Sequence, residues 1–129
     1  MVTANPNRTA PVLRGAWIME RILGTPKPTP PPNVPDLSEA MKGKPATVRE
    51  QVELHRKNKT CASCHRVMDP LGFALENFDT VGAYRKIDPQ SRQVIDAGGT
   101  MPDGGVLSGP QGLHPALAAH SDPFAQIIT

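Results

Sequence analysis

Residues 60–73, TCASCHRVMDPLGF, contain both cysteines of this 129-residue chain. Cys61 and Cys64 are three positions apart, and His65 follows the second cysteine directly. On a helix this spacing puts the two thiols about one turn apart. A CxxCH motif is typical of covalent haem attachment, in which two thiols bond two vinyl groups and the imidazole ligates the iron. The stretch therefore predicts one covalent haem c on Cys61, Cys64 and His65.

Two other chemistries use closely spaced cysteines, and both stay open as alternatives. A thioredoxin-like redox pair normally follows a strand in a βαβ unit, and the sequence around the motif has no such pattern. A structural zinc site needs four ligands. The other histidines have no matching spacing: His55, His114 and His120. Haem attachment is the favoured interpretation.

The composition suggests that a bound group contributes to the core. Fifteen prolines, eleven glycines and an aromatic content of only 4% leave little material for burying apolar surface. Small domains of this kind usually depend on a disulfide, a metal or a prosthetic group. A formal net charge of +2 and scattered basic residues argue against a nucleic-acid partner. No apolar run is long enough for a membrane span, and the first fifteen residues lack the features of an export signal.

Local signals predict a mainly α fold, a small cytochrome c-like helical domain around one haem, with long Pro/Gly-rich loops and little or no sheet. A first helix over 9–23 would be capped by Thr9, with Pro11 in its first turn. A second helix over 48–58 would start with the capping box of Thr47 and Glu50. The C-terminal half reads mostly as turns, with a short helix over 113–120 and at most a hairpin at Val94 and Ile95.

The chain divides into three predicted regions. Residues 1–24 form the N-terminal helix region, and residues 25–44 form a proline-rich extended arm that would act as a semi-rigid spacer. Residues 45–129 form the cytochrome c-like haem domain.

An electron carrier usually has a second axial ligand opposite the histidine, often a methionine. Met101, in the loop GGTMPDGG, is the leading candidate. Met68 lies three residues after His65, so on a continuing helix it falls on the same side as that ligand. The remaining possibilities are an iron without a second protein ligand or one of two further histidines, His114 and His120.

Other residues are candidates for the haem's surroundings. The carbonyl of Pro70 is expected to accept the second N–H of the His65 imidazole and so orient it. Aromatic side chains would wall the ring: Trp17, Phe73, Phe78 and Tyr84. Arginines that could pair with the propionates are Arg14, Arg66 and Arg85.

Three segments of the chain resemble the planctomycete-type cytochrome c domain: VTANPNRTAPVLRGAWIMERILGTP (2–26), CASCHRVMDPLGFALENFD (61–79) and VGAYR (81–85). The resemblance extends from about residue 2 to the C-terminus. It implies one covalent haem c on Cys61 and Cys64, with His65 as axial ligand. It also implies that these 129 residues are an excerpt of a large multi-domain bacterial protein.

The sequence thus favours a mono-haem c-type cytochrome module that carries single electrons, and an electron-transfer domain is favoured over a catalyst. One alternative is a five-coordinate haem module of a peroxidase- or dehydrogenase-like enzyme. Another is a haem-free or zinc-bound interaction module. The expected partners are a redox protein or neighbouring domains of the parent chain. Haem c chemistry further predicts a periplasmic or otherwise exported location, with the signal supplied by a longer precursor.

Overall fold

A computed structural model describes residues 4–5, 8–26, 29–32 and 47–119 of the chain. These residues form four helices and four short strands. In chain order they are β1 (Ala4–Asn5), β2 (Arg8–Thr9), α1 (Pro11–Arg21), α2 (Val48–His55), α3 (Lys59–Phe73), β3 (Gly98–Thr100), β4 (Val106–Ser108) and α4 (Gly109–Ala119). The strands pair antiparallel as β1–β2 and β3–β4. A mainly helical fold with little sheet agrees with the sequence-based prediction.

The three predicted regions stay predictions, because most of the proline-rich arm lies outside the described residues. At the other end of the chain, α4 starts at Gly109, four residues before the predicted helix over 113–120. Val94 pairs with Ile87 in an isolated antiparallel bridge, and the backbone hydrogen bonds from Ile95 to Lys86 and from Asp88 to Gln93 flank it, so a minimal hairpin forms there.

The start of α1 differs from the prediction in one respect. Pro11 occupies its first turn, as expected, because a missing N–H costs nothing there. Thr9 is not the cap, however: the N-cap residue is Ala10, and no side chain caps the helix. The Thr9 hydroxyl instead donates to the buried Glu76 carboxylate, 67 residues along the chain. The Thr9 hydroxyl thus bonds a residue that is distant in sequence instead of a backbone N–H of α1.

The backbones of α1 and α3 touch where these two helices cross. A methyl group added at Gly15 would overlap the carbonyl oxygen of Met68, and one added at Gly72 would overlap the carbonyl oxygen of Pro11. Helices normally pack with their axes about 8–10 Å apart because side chains separate them. Glycine at both positions removes those side chains. The crossing therefore depends on Gly15 and Gly72.

Arg14 directly precedes Gly15 on α1. It is buried and donates hydrogen bonds to the segment that follows α3. Its Nη1 donates to the carbonyl oxygens of Leu75 and Phe78 at 2.8 Å each, and its Nη2 donates to that of Asp79 at 3.0 Å. These carbonyls belong to the loop that follows α3, and backbone N–H groups also donate to those of Leu75 and Asp79. Arg14 adds side-chain hydrogen bonds and so holds this loop against α1.

Glu76 joins this buried polar group. One of its carboxylate oxygens lies 3.0 Å from Arg85 Nη2, and the other lies 3.8 Å from Arg14 Nη1. Burial raises the pKa of the Glu76 carboxyl, whereas the Thr9 hydrogen bond and the charges of Arg14 and Arg85 act to lower it. The network links the segment before α1 to the loop after α3.

The capping box of α2 is confirmed. The Thr47 backbone N–H donates to the Glu50 carboxylate at 2.7 Å, and the Glu50 N–H donates to the Thr47 hydroxyl at 3.2 Å. The helix ends at His55, earlier than the predicted 48–58. The chain turns there because Asn58 caps a new helix, its side chain accepting the N–H of Thr60 at 3.0 Å.

α3 is the central helix, and a proline does not end it. Pro70 lies inside α3, which continues to Phe73. Its carbonyl accepts the N–H of Ala74 at 3.1 Å, so helical hydrogen bonding resumes after the ring. Gly99 of β3 packs directly on the Pro70 ring, which places the β3–β4 pair against this part of α3.

We expect Gly15→Ala and Gly72→Ala each to lower the free energy of unfolding by about 1–3 kcal/mol or more, because the added methyl forces the crossing apart. Chemical denaturation followed by circular dichroism measures this. Gly112→Ala is the matched control, since its methyl would meet Leu107 only at an ordinary 3.4 Å. In helix α4 it should be neutral or stabilise by up to about 1 kcal/mol. Equal effects of the three substitutions would contradict the role of the crossing.

Candidate functional site

The CxxCH motif occupies the first two turns of α3. Cys61 and Cys64 are one turn apart on this helix, and His65 follows on the same side. Both cysteines are free and half-buried. Cys64 also packs against the apolar core that the crossing helices form. The three groups that the sequence singles out are thus brought together on one rigid element.

A cavity of about 80 Å³ lies beside the motif. It is lined from three parts of the chain: the proline-rich arm, the end of α2 and the first turns of α3. The lining residues are Pro30, Pro31, His55, Thr60, Cys61, Cys64, His65 and Met68. Thiols, imidazoles and a thioether therefore face one small, partly apolar space.

The His65 imidazole is held by a carboxylate one turn further along α3. Its Nδ1 lies 2.9 Å from an Asp69 carboxylate oxygen, and the Asp69 side chain is fully buried. The other carboxylate oxygen has no hydrogen bond among the described residues and lies 3.7 Å from Arg56 Nε. A carboxylate on Nδ1 favours a proton on that nitrogen and leaves Nε2 as the free lone pair.

This contact differs from the expectation for Pro70. Its carbonyl was expected to accept the imidazole N–H, but that oxygen accepts the backbone N–H of Ala74 instead. The reason is that α3 continues past Pro70, so the carbonyl points along the helix. The residue just before it, Asp69, is four positions from His65 and on the same helical face.

A second imidazole occupies the same cavity. The ring of His55, at the end of α2, lies edge-to-face with the ring of His65, with centroids 5.1 Å apart and planes inclined at 64°. Burial lowers the pKa of His55, the charge of His65 lowers it further, and Asp69 opposes both. His55 is therefore disposed to be neutral, with a lone pair available.

The candidates for a second axial ligand have different surroundings in the structure. Met101 is buried in the apolar core cluster and does not line the cavity. Met68 belongs to the same cluster and also lines the cavity, beside the motif. His114 is exposed on α4, and His120 lies outside the described residues. Met101 as an iron ligand stays a prediction.

None of the aromatic side chains proposed as walls lines the cavity. Phe73 is buried beneath the Arg49 guanidinium, which lies 4.2 Å from its ring centroid. Phe78 and Tyr84 contact each other edge-to-face at 5.8 Å. Trp17 is 45% exposed on α1. These rings belong to other parts of the fold.

The three candidate propionate arginines also have different surroundings. Arg14 and Arg85 take part in the buried network around Glu76. Arg66 is exposed on α3, next to His65 in sequence. Of the three arginines, only Arg66 is both exposed and next to the motif.

The donor set fits a covalently attached haem. Two free thiols lie one helical turn apart, and the adjacent imidazole has its Nδ1 engaged and its Nε2 available. The cavity is smaller than the roughly 300–1,000 Å³ of ordinary cofactor clefts. A macrocycle bonded to these thiols would therefore extend beyond the cavity or move the Pro30–Pro31 wall.

Two residues of the site were missed from sequence. Asp69 had a usable signal, its i,i+4 spacing from His65 on a helix that continues past Pro70. His55 had no signal of this kind, because its position depends on the turn between α2 and α3. That turn brings His55, ten positions before His65 in the sequence, into contact with the motif.

Other ligand arrangements are less well supported. Within residues 4–5, 8–26, 29–32 and 47–119, no three His, Cys, Asp or Glu residues form a group that could hold a metal ion. The helices of the same residues include none with the length and apolarity needed to cross a membrane.

One comparison with known proteins gives a match. A family model described as "PSCyt3: Protein of unknown function (DUF1588)" matches residues 1–88. The matched range contains α1, α2 and α3 with the whole CxxCH motif, and it ends before Met101. The expected resemblance through to the C-terminus is therefore seen only as far as residue 88. No curated protein and no solved structure matches the chain.

Proposed function

The chain belongs to the PSCyt3 family, a cytochrome c-like family of unknown function, and we propose that it is a mono-haem c-type cytochrome module that carries single electrons. The observation that carries this proposal is the arrangement of Cys61, Cys64 and His65 on α3. Two free thiols and an imidazole with one engaged nitrogen line the same cavity. This is the donor set that haem c attachment uses.

Each side chain has a defined role in this proposal. The Cys61 and Cys64 thiols would each add across one vinyl group. The sulfur forms the thioether bond and the thiol hydrogen passes to carbon, so no oxidant or reductant is consumed. Nε2 of His65 would ligate the iron. The bound group supplies one-electron chemistry through its ferrous and ferric states.

Asp69 would act as a positioning residue. Its buried carboxylate, 2.9 Å from Nδ1, fixes the orientation of the imidazole and makes it a stronger electron donor. A stronger donor stabilises the ferric state and so lowers the reduction potential. Arg56, 3.7 Å from the second carboxylate oxygen, offsets part of this negative charge.

The presence or absence of a second protein ligand to the iron distinguishes an electron carrier from an open-site haem enzyme module. A second protein ligand gives a low-spin carrier, whereas an open position would let the iron bind peroxide or another small molecule. Met101 lies in the apolar core rather than along the cavity, so methionine ligation would require this residue to move. The spin state of the ferric protein distinguishes the carrier from the open-site enzyme module.

The proposal also sets the location and partners of the protein. Haem c is attached outside the bacterial cytoplasm, so we propose a periplasmic or otherwise exported protein. Its electrons would pass to a redox protein or to neighbouring domains of a parent chain.

The first prediction concerns attachment. The chain exported alongside the cytochrome c maturation machinery should carry one haem that survives denaturation and acid–acetone extraction. A pyridine haemochrome assay measures the haem-to-protein ratio and identifies thioether-bonded haem. The double variant Cys61→Ala/Cys64→Ala should retain none, because both sulfurs are lost. His114→Ala, which changes an exposed side chain outside the cavity, is the control. A native chain that matures without covalent haem would refute the proposal.

The second prediction concerns Asp69. Asp69→Asn keeps the shape of the side chain but removes its charge, so the reduction potential of the haem protein should rise. Spectroelectrochemical titration measures the shift. Glu53→Gln changes an exposed carboxylate paired with Arg49, 3.7 Å away, and should leave the potential nearly unchanged. If both variants shift the potential equally, general surface charge rather than the His65 contact is responsible.

A further inference from the structure

We propose that His55 is the second axial ligand, so that the module binds its haem through two histidines, His55 and His65. This inference rests on the proposed function and deepens it. It assigns the opposite side of the site to a residue that neither the CxxCH motif nor the family description identifies.

The position of His55 is the first support. Its imidazole enters the cavity that Cys61, Cys64 and His65 line, and it comes from α2, a different helix from the one that carries the motif. A ligand on the far side of a planar group has to come from a separate element, because residues of one helical stripe approach from the same side. His55 meets this requirement and Met68, three residues after His65, does not.

The distance between the two rings is the second support. Their centroids are 5.1 Å apart. An iron held by two imidazoles keeps the two ligating nitrogens about 4 Å apart, twice a metal–nitrogen bond of about 2 Å. Each ring centre lies about 1 Å behind its ligating nitrogen, so two-histidine ligation requires centroids about 6 Å apart. The two rings, now in edge-to-face contact, would have to separate by about 1 Å and turn their ligating nitrogens towards each other.

The other candidate ligands among the described residues are less well placed. Met101 is buried in the apolar core, where a thioether makes favourable contacts that it would have to give up. His114 is exposed on α4 and lines no part of the cavity. Within this part of the chain, His55 is the further nitrogen donor that lines the same cavity as His65.

Two-histidine ligation has a distinct electronic consequence. A second imidazole gives a low-spin iron, and it favours the ferric state more than a thioether does, because methionine raises the potential. The module would then be a low-potential carrier closed to small ligands. The same cavity would be an open, reactive site without His55.

The experiment uses the full chain matured with covalent haem and compares native protein with His55→Ala, His55→Met and Met101→Ala. Absorption and electron paramagnetic resonance spectra report spin state, and carbon monoxide titration reports access to the ferrous iron. We expect the native protein and Met101→Ala to be low-spin. His55→Ala should be high-spin and bind carbon monoxide at least tenfold more tightly. Added imidazole should restore the low-spin spectrum.

His55→Met provides a second test that does not depend on loss of a ligand. A methionine in this position should produce the charge-transfer band of methionine-ligated ferric haem and raise the reduction potential. If His55→Ala attaches less haem, the spectrum of the attached fraction still reports its ligation. A low-spin His55→Ala together with a high-spin Met101→Ala would overturn the inference in favour of Met101. A native protein that is high-spin would also overturn it, whereas failure to attach haem would refute the proposed function instead.

Discussion

The contact between the backbones of α1 and α3 is the constraint on which the rest of the structure depends. Gly15 and Gly72 leave no side chain between the helices, so each backbone fills the space that a methyl group would need. This contact fixes the helix that carries the CxxCH motif against the apolar core. A chain with few aromatic residues thus obtains a rigid platform from close helix packing rather than from large side chains.

Buried charged side chains stabilise this packing at the C-terminal end of α3, away from the CxxCH motif. Arg14 satisfies backbone carbonyls beyond α3, and Glu76 lies between Arg14 and Arg85. Removing one member would leave another charge buried without compensation, which costs more than the pair contributes. The side of α3 that faces the cavity also belongs to the core, because Met68 lies in the apolar cluster and Cys64 packs against it.

Local sequence signals predicted what neighbouring residues decide among themselves. The Thr47–Glu50 capping box, Pro11 at the start of α1 and the helical spacing of Cys61 and Cys64 all appear as expected. Each depends on groups a few residues apart, whose geometry is set by the helix. The predicted helix cap at Thr9 was wrong for a related reason. A cap uses only neighbouring groups, whereas the Thr9 hydroxyl donates to the buried carboxylate of the distant Glu76.

The sequence by itself determined the chemistry of the site: a pair of thiols, an adjacent imidazole and the family to which the chain belongs. The persistence of α3 through Pro70 gave His65 the carboxylate of Asp69, a contact within one helix whose i,i+4 spacing the sequence already contains. Only the tertiary structure decided what approaches the motif from outside this helix. The turn after α2 brought His55 onto the motif. The physical reason is that motif spacing is a property of one helix, whereas a partner from another element exists only once the helices have packed.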